Sequence, residues 1–302
     1  MRTKHKIQRQ LVTILITGGT GLVGQLLVTK LLAKNYTVRV LTRTPKNKNE
    51  FAWDIASEYI DKKAFENLDY IIHLAGAGIA DKRWSIKRKQ EIIDSRTKST
   101  ELLLNKVKEL KTPLSGFISA SAIGYYGAIT SKEIFKETDT AANDFLGNVC
   151  KLWEASVLEF SKADIPTTIL RLGIILSKNG GALEKMKTPV ISPIANGKQF
   201  LPWIHIEDVT DMFIFALENN LTGIHNAVAP QEQTSYSFSK LLAKKLKRPF
   251  LPIGVPTFML KLIFGEMSII LTTGSRISSK KIREAGFQFS HKELKKSLDS
   301  LV

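Results

Sequence analysis

The 302-residue sequence predicts an α/β protein: a doubly wound parallel sheet with a smaller, mostly helical region attached. Three observations carry that expectation. An apolar run, Leu11 to Ile16, passes straight into glycines spaced GxxGxxG and then into leucines at helical spacing. Apolar strands and helical stretches alternate from there to Leu172. From Ser177 the alternation gives way to chain punctuated by glycine and proline, and only short helical stretches follow Tyr236.

The Leu11 to Ile16 run is apolar and partly β-branched, which suits a strand buried on both faces of a parallel sheet. Gly18, Gly21 and Gly24 stand at the junction with the helix that carries Leu26, Leu27, Leu31 and Leu32. Gly18 permits a tight turn, Gly21 lets the backbone approach a pyrophosphate, and Gly24 lets the helix lie close on the sheet. The turn and first helical positions, Thr20, Leu22 and Val23, would present N–H groups to phosphate. The second strand, Thr37 to Thr42, ends in Arg43, where a chain selective for the unphosphorylated cofactor would place an acidic residue on the ribose hydroxyls. A guanidinium there, with Arg39 and Lys46 nearby, suits a 2′-phosphate, so NADP(H) is expected over NAD(H). Thr44 to Glu50 reads as a polar loop.

Leu68 to Leu74 reads as the next strand and leads into Ala75-Gly76-Ala77-Gly78. Small residues at a parallel strand's carboxyl end leave room for a ligand, so Leu74, Ala75 and Gly76 complete the candidate cofactor set. His73, inside that strand, reads as a satisfied core histidine. A basic helical stretch, Arg83 to Leu110, and a strand, Ser115 to Ser119, follow. This strand runs into SASAIGYYG, where Ser121, Tyr125 and Tyr126 are either hydroxyl donors at the site or parts of a turn with buried tyrosines. Lys132 to Asp144 reads as a loop, Phe145 to Ala163 as a helix carrying Cys150, Trp153 and Phe160, and Thr167 to Leu172 as a strand. Ser177 to Trp203 should form substrate-side loops, and an apolar helix spans Met212 to Leu217. Before it, Asp208 is placed to cap the helix, and His205 to touch substrate or to serve structure. The expected divisions are 11–176 for the nucleotide domain, with its sheet completed from 203–230, 177–246 for substrate-side segments, and 247–296 for a small C-terminal domain.

Forty-four basic against 28 acidic residues give a net charge of +16. The lysines are spread along the chain with no basic stripe interleaved with aromatics, which reads as a solvated surface and not as a specific nucleic-acid footprint. The single cysteine, Cys150, excludes an intrachain disulfide and a multi-Cys zinc site. It reads as a small buried hydrophobe, and no metal centre is expected. The N-terminal MRTKHKIQRQ is basic but is followed by too short an apolar run for a signal peptide, and no stretch of 18 apolar residues occurs. A cytoplasmic protein without a membrane partner is expected.

With these residues in place the chain resembles the extended short-chain dehydrogenase/reductase superfamily, in particular its nucleoside-diphosphate-sugar epimerase group with a small C-terminal domain. The likeness rests on TGGTGLVG (17–24), HLAGAGIADKRW (73–84), SRTKST (95–100), SASAIGYYG (119–127), the Trp153-Glu154 helix, LRLGIIL (170–176), GGALEKM (180–186), WIHIEDV (203–209), FGEM (264–267) and EAGFQF (284–289). It implies a Rossmann-type nucleotide domain, hydride transfer between a nicotinamide and a small polar substrate such as a nucleotide sugar, and a homodimer as the usual assembly. Ser121 looks like the family's substrate-binding serine, whereas the YxxxK motif that supplies an acid/base tyrosine and its lysine is broken. One register puts Leu146 and Cys150 at those positions, and the other restores Lys151 but places Gly147 opposite the tyrosine. Tyr59 to Lys63 and Tyr236 to Lys240 match the spacing only by chance. The acid/base would then be Tyr125 or Tyr126, with His205 next, or the chain is a non-catalytic NADP(H)-binding sensor or assembly protein. Arg96 stands where many members carry an asparagine, and a cation there suits a substrate phosphate or carboxylate.

Overall fold

A computed structural model describes residues 12–302, so Leu11 and the basic N-terminal segment lie outside the described residues. The first strand appears as β1 (Thr13–Thr17), followed by α1 (Leu22–Ala33) and β2 (Thr37–Thr42). Next come β3 (Glu50–Asp54), β4 (Tyr59–Ile60), β5 (Tyr70–His73), α2 (Ile86–Glu109) and β6 (Gly116–Ala122). A short pair-forming strand, β7 (Ile134–Phe135), precedes α3 (Phe145–Lys162), β8 (Thr167–Leu172) and β9 (Ile174–Ser177). Beyond these lie β10 (Gly180–Gly181), α4 (Ala182–Met186), β11 (Trp203–His205), α5 (Ile206–Glu218) and β12 (Gly223–Ala227). The remainder holds α6 (Ser235–Leu246), α7 (Thr257–Phe264), α8 (Ile269–Thr272), β13 (Arg276–Ile277), α9 (Lys280–Glu284) and α10 (Leu294–Asp299).

Eight strands form the central sheet in the order β12-β8-β6-β5-β1-β2-β3-β4, parallel except for the β3–β4 pair. The chain runs outward from β1 through β2 to β4, returns to β5 on the other side of β1, and runs outward again to β12. The reversal between β1 and β5 is where an open parallel sheet leaves a crevice at its carboxyl edge. This is a Rossmann-type α/β fold. Ile14, Leu15, Ile16, Ile71, Ile72, Phe117, Ile169 and Leu170 are buried across its centre, which explains their unbroken apolar runs. Helix α1 packs with α5, joined by Lys30 to Glu207 and Asp211, while α2 packs with α3.

A second cluster gathers Leu176, Leu183, Leu201, Trp203, Phe238 and Leu242 with Leu294, Leu298 and Leu301 of the C-terminal helix. Other C-terminal residues, Ile282, Phe287 and Phe289, join the main core instead. The chain's last segment also closes back through β13, which pairs with β7.

Several expectations need correction. The β3–β4 hairpin, with Trp53 and Ile60 buried, was not legible, and Glu50 belongs to β3 and not to the preceding loop. Strand β6 continues to Ala122, and α5 begins at Ile206, well before Met212. Asp208 does not cap α5. Its carboxylate accepts from the backbone N–H groups of Ser290 and His291, pinning the C-terminal segment, while the cap is His205.

Candidate active site

The turn after β1 shows why glycine is needed at two of its positions. Gly18 has φ +70°, and a Cβ there would stand 2.9 Å from the Leu74 carbonyl carbon. A Cβ at Gly24 would fall 2.2 Å from the Gly18 oxygen, so only glycine lets α1 lie this close on the turn. Thr17 Oγ1 accepts from the backbone N–H groups of Leu74 and Ala75, each at 3.2 Å, and so fastens the end of β5 to the end of β1. Gly21 precedes α1 with no side-chain cap, and the first turn of the helix carries no acidic residue. The N–H groups of Leu22, Val23 and Gly24 therefore point from an uncapped helix end beside the exposed Thr20 and Gly21, a site chemically matched to phosphate.

Arg43 is exposed just past β2, the strand paired with β1, and its side chain makes no hydrogen bond or ion pair among the described residues. Arg39 is committed elsewhere: its Nη1 donates to the carbonyls of Ala64 and Glu66. Gly18, Thr20, Gly21, Leu22, Val23, Gly24, Arg43, Leu74, Ala75 and Gly76 thus share the carboxyl edge of the sheet around the β1–β5 crevice.

Beside that edge lies a cavity of about 240 Å³. Its wall comes from Ile79, from Ala122, Ile123, Gly124 and Tyr126 after β6, and from Leu146, Val149 and Cys150 of α3. Leu172, Gly173 and Ile174 line it where β8 meets β9, and Phe200 and Pro202 add loop residues. The far side is closed by the C-terminal residues Ile270, Thr273, Gly274, Ser275 and Ile277. Among the described residues, the one cation in the wall is Arg96. Its Nη1 donates to the carbonyls of Ala77 and Ile92, its guanidinium lies 5.0 Å from the Trp153 ring, and a Cβ on Gly76 would come within 3.2 Å of it. No carboxylate stands within ion-pairing distance of Arg96 among the described residues, and burial lowers its pKa from the usual arginine range.

Ser121 is not in this wall. Ala122 and its register partner Leu172 both line the cavity, while Ser121 is in register with Arg171. There Ser121 Oγ donates to Glu154 Oε1 at 2.7 Å, and Arg171 clasps the same carboxylate through Nε and Nη2, both at 2.8 Å. The network continues as Arg171 Nη1 donates to the Tyr126 hydroxyl, which in turn donates to Asn226 Oδ1. Tyr126 borders the cavity, yet its hydroxyl already donates to Asn226 and accepts from Arg171, and burial pushes its pKa up to about 12. Tyr125 lies outside the wall, its ring 3.4 Å beneath the Arg171 guanidinium. The Ser121 and Tyr126 hydroxyls are thus engaged within the protein, while Tyr125, half-buried, packs its ring against Arg171 outside the wall.

His205 is also away from the cavity. Its Nδ1 accepts from the Glu207 N–H, its Nε2 meets Ser300 Oγ at 3.1 Å, and its ring stacks on His291 at 3.6 Å. Burial and the neighbouring His291 push its pKa down to about 4. Desolvation raises the Cys150 thiol to about 12, as befits a buried hydrophobe. His73 is held between Thr17 on one ring nitrogen and Ser99 and Thr100 on the other, with its pKa lowered to about 3 by burial. Tyr59 and Tyr236, the tyrosines of the two YxxxK matches, are exposed and are not among the residues of the wall.

Residues 14–229 match the model of the NAD dependent epimerase/dehydratase family, and residues 255–301 match a domain of unknown function, DUF1731. The chain belongs to the NAD dependent epimerase/dehydratase family. Within the family, it is 32% identical over 293 residues to an epimerase family protein of Mycobacterium leprae, covering 94% of each chain. It is 33% identical to the chloroplastic SDR39U1 homolog of Arabidopsis thaliana, covering 96% of this chain and 86% of the relative. The crystal structure of human epimerase family protein SDR39U1 (isoform 2) with NADPH superposes with a TM-score of 0.85 at 28% identity, over 96% of this chain and 99% of that one. The DUF1731 match contains the residues that close the cavity's far side, which sequence reading had not assigned to the site.

Proposed function

We propose that this family member binds NADP(H) and acts as an oxidoreductase or epimerase-type enzyme on a small molecule held in the Arg96 cavity. The observation that carries this reading is the uncapped α1 N-terminus at the β1–β5 crevice, with an unengaged Arg43 at the end of the neighbouring strand. The cofactor's pyrophosphate would take the N–H groups of Leu22, Val23 and Gly24, and Arg43 would hold the 2′-phosphate. Leu74, Ala75 and Gly76 would border the ribose and nicotinamide. The human relative solved with NADPH supports the same nucleotide. A bound nicotinamide supplies the hydride chemistry; the chain's part is to seat the substrate and exclude water behind the 270–277 wall.

A second reading, a non-catalytic NADP(H) sensor or assembly protein, draws on a different observation. Neither register of the family's tyrosine–lysine motif supplies both groups: one places Leu146 and Cys150 there, both in the wall, and the other Gly147 and Lys151, while the Tyr126 hydroxyl is engaged by Asn226 and Arg171.

Calorimetric titration of cofactor-stripped protein with NADPH and NADH, repeated on Arg43→Ala, tests the cofactor assignment. NADPH is expected to bind at least about tenfold more tightly, one good charge-assisted contact being worth about 1.5–3 kcal/mol, and the variant should lose that preference. Absence of binding by either nucleotide would refute both readings. Consumption of NADPH with any carbonyl substrate would decide for the enzyme.

A further inference from the structure

Resting on the reading of this cavity as the substrate site, we infer that its ligand is a compact, largely apolar molecule carrying a single carboxylate, not a nucleotide sugar. The wall is built from Ile79, Ile123, Leu146, Leu172, Ile174 and Ile277 with few polar groups between them. Each hydroxyl that reaches it is already engaged as a donor. Tyr126 donates to Asn226, Thr273 Oγ1 to the Ile269 carbonyl at 2.7 Å, and Ser275 Oγ to the Ile129 carbonyl at 2.7 Å. A hexose placed here would bury a ring of hydroxyls against methyl groups, and each unpaired hydroxyl weighs against binding.

Charge leads to the same ligand class. Arg96 keeps Nε and Nη2 free of hydrogen bonds to described residues, while its Nη1 is anchored to Ala77 and Ile92. A guanidinium fixed in this way presents a planar two-donor edge that matches one carboxylate. Among the described residues, the remainder of the wall holds no second cation to balance the two charges of a sugar nucleotide's diphosphate. A half-buried cation beside apolar groups with no carboxylate partner among the described residues is costly, and an anionic ligand relieves that cost.

The test compares three probes on the purified full chain, with and without saturating NADPH: octanoate, its neutral near-isostere octanamide, and UDP-glucose. Octanoate should bind at least tenfold more tightly than octanamide, and UDP-glucose should not bind in the cavity at the same concentrations. The octanoate preference should vanish in Arg96→Met and be partly restored in Arg96→Lys. Equal binding of octanoate and octanamide to the wild-type chain would overturn the inference, as would UDP-glucose displacing octanoate, and neither result depends on a variant folding. Octanoate binding that survives Arg96→Met undiminished would also overturn it. If octanoate shows the preference while NADPH fails to bind, the inference stands and the cofactor assignment falls. If NADPH binds and octanoate does not, the reverse holds.

Discussion

Glu154 accepts two bonds from Arg171 and one from Ser121 in a region where both charged side chains are almost fully buried. Removing one partner strands the other charge. Glu154→Ala should therefore cost about 3–5 kcal/mol of stability, measured by urea unfolding. Tyr126→Phe removes one link of the same network and should cost about 1–3 kcal/mol, while leaving NADPH affinity within a factor of about two. A selective collapse of cofactor binding in Tyr126→Phe would show that the hydroxyl works at the site after all. The Ser121 outcome shows where sequence reading stops at this scale. The alternation in Ser119-Ala120-Ser121-Ala122 told that the serines share one face and the alanines the other. It could not tell which of them borders a cavity, because that depends on where α3 and the C-terminal segment pack. His205 was ambiguous for a related reason: its partner Ser300 lies 95 residues away.

The glycine turn was legible because its requirements are local: strand, turn and helix follow one another within a few residues, and the steric demands at Gly18 and Gly24 are set by their immediate neighbours. Gly24→Ala should push α1 off the turn, lowering stability by about 1–3 kcal/mol and weakening NADPH binding by more than tenfold, read by calorimetry. Equal affinity in the variant would mean that the turn does not hold the cofactor's phosphates. The long helices α2 and α3 were read nearly to their ends, since their apolar positions repeat over several turns. The β3–β4 hairpin was missed because Tyr59 and Ile60 are too short a strand to show any period. The cavity's far wall was missed for another reason. Residues 270–277 carry no motif, and only the pairing of β13 with β7, far apart in sequence, brings them to the site.

Across the whole molecule, buried histidines set the response to acid. His73 has its pKa lowered to about 3 and His205 to about 4, and burial also lowers His225. A histidine whose folded pKa lies below its unfolded value of about 6.5 stabilises the fold fully above that value and progressively less as pH falls towards the folded one. Unfolding free energy should thus fall between pH 6.5 and about 4, by about 1.4 kcal/mol per pH unit for each of His73 and His205, with His225 adding in the same direction. His73→Asn, compared with wild type by urea unfolding at pH 7, 6 and 5, should flatten that slope even though it lowers stability at neutral pH. An unchanged slope would mean that His73 is protonated in the folded chain. The fold class was legible at this scale because strand and helix alternate along the chain. The strand order was not, since it depends on the return from β4 to β5 across the sheet.

The β13–β7 pairing also has a meaning in time. Synthesis delivers the chain from its N-terminal end at about 5–20 residues per second. The central sheet receives its last strand at Ala227, but the cavity gains its closing wall only when Ile270 to Ile277 emerge. During birth on the ribosome, the nascent protein has its β1–β5 crevice before the cavity beside it is walled off, so a ligand of the crevice could assist folding before a ligand of the cavity could.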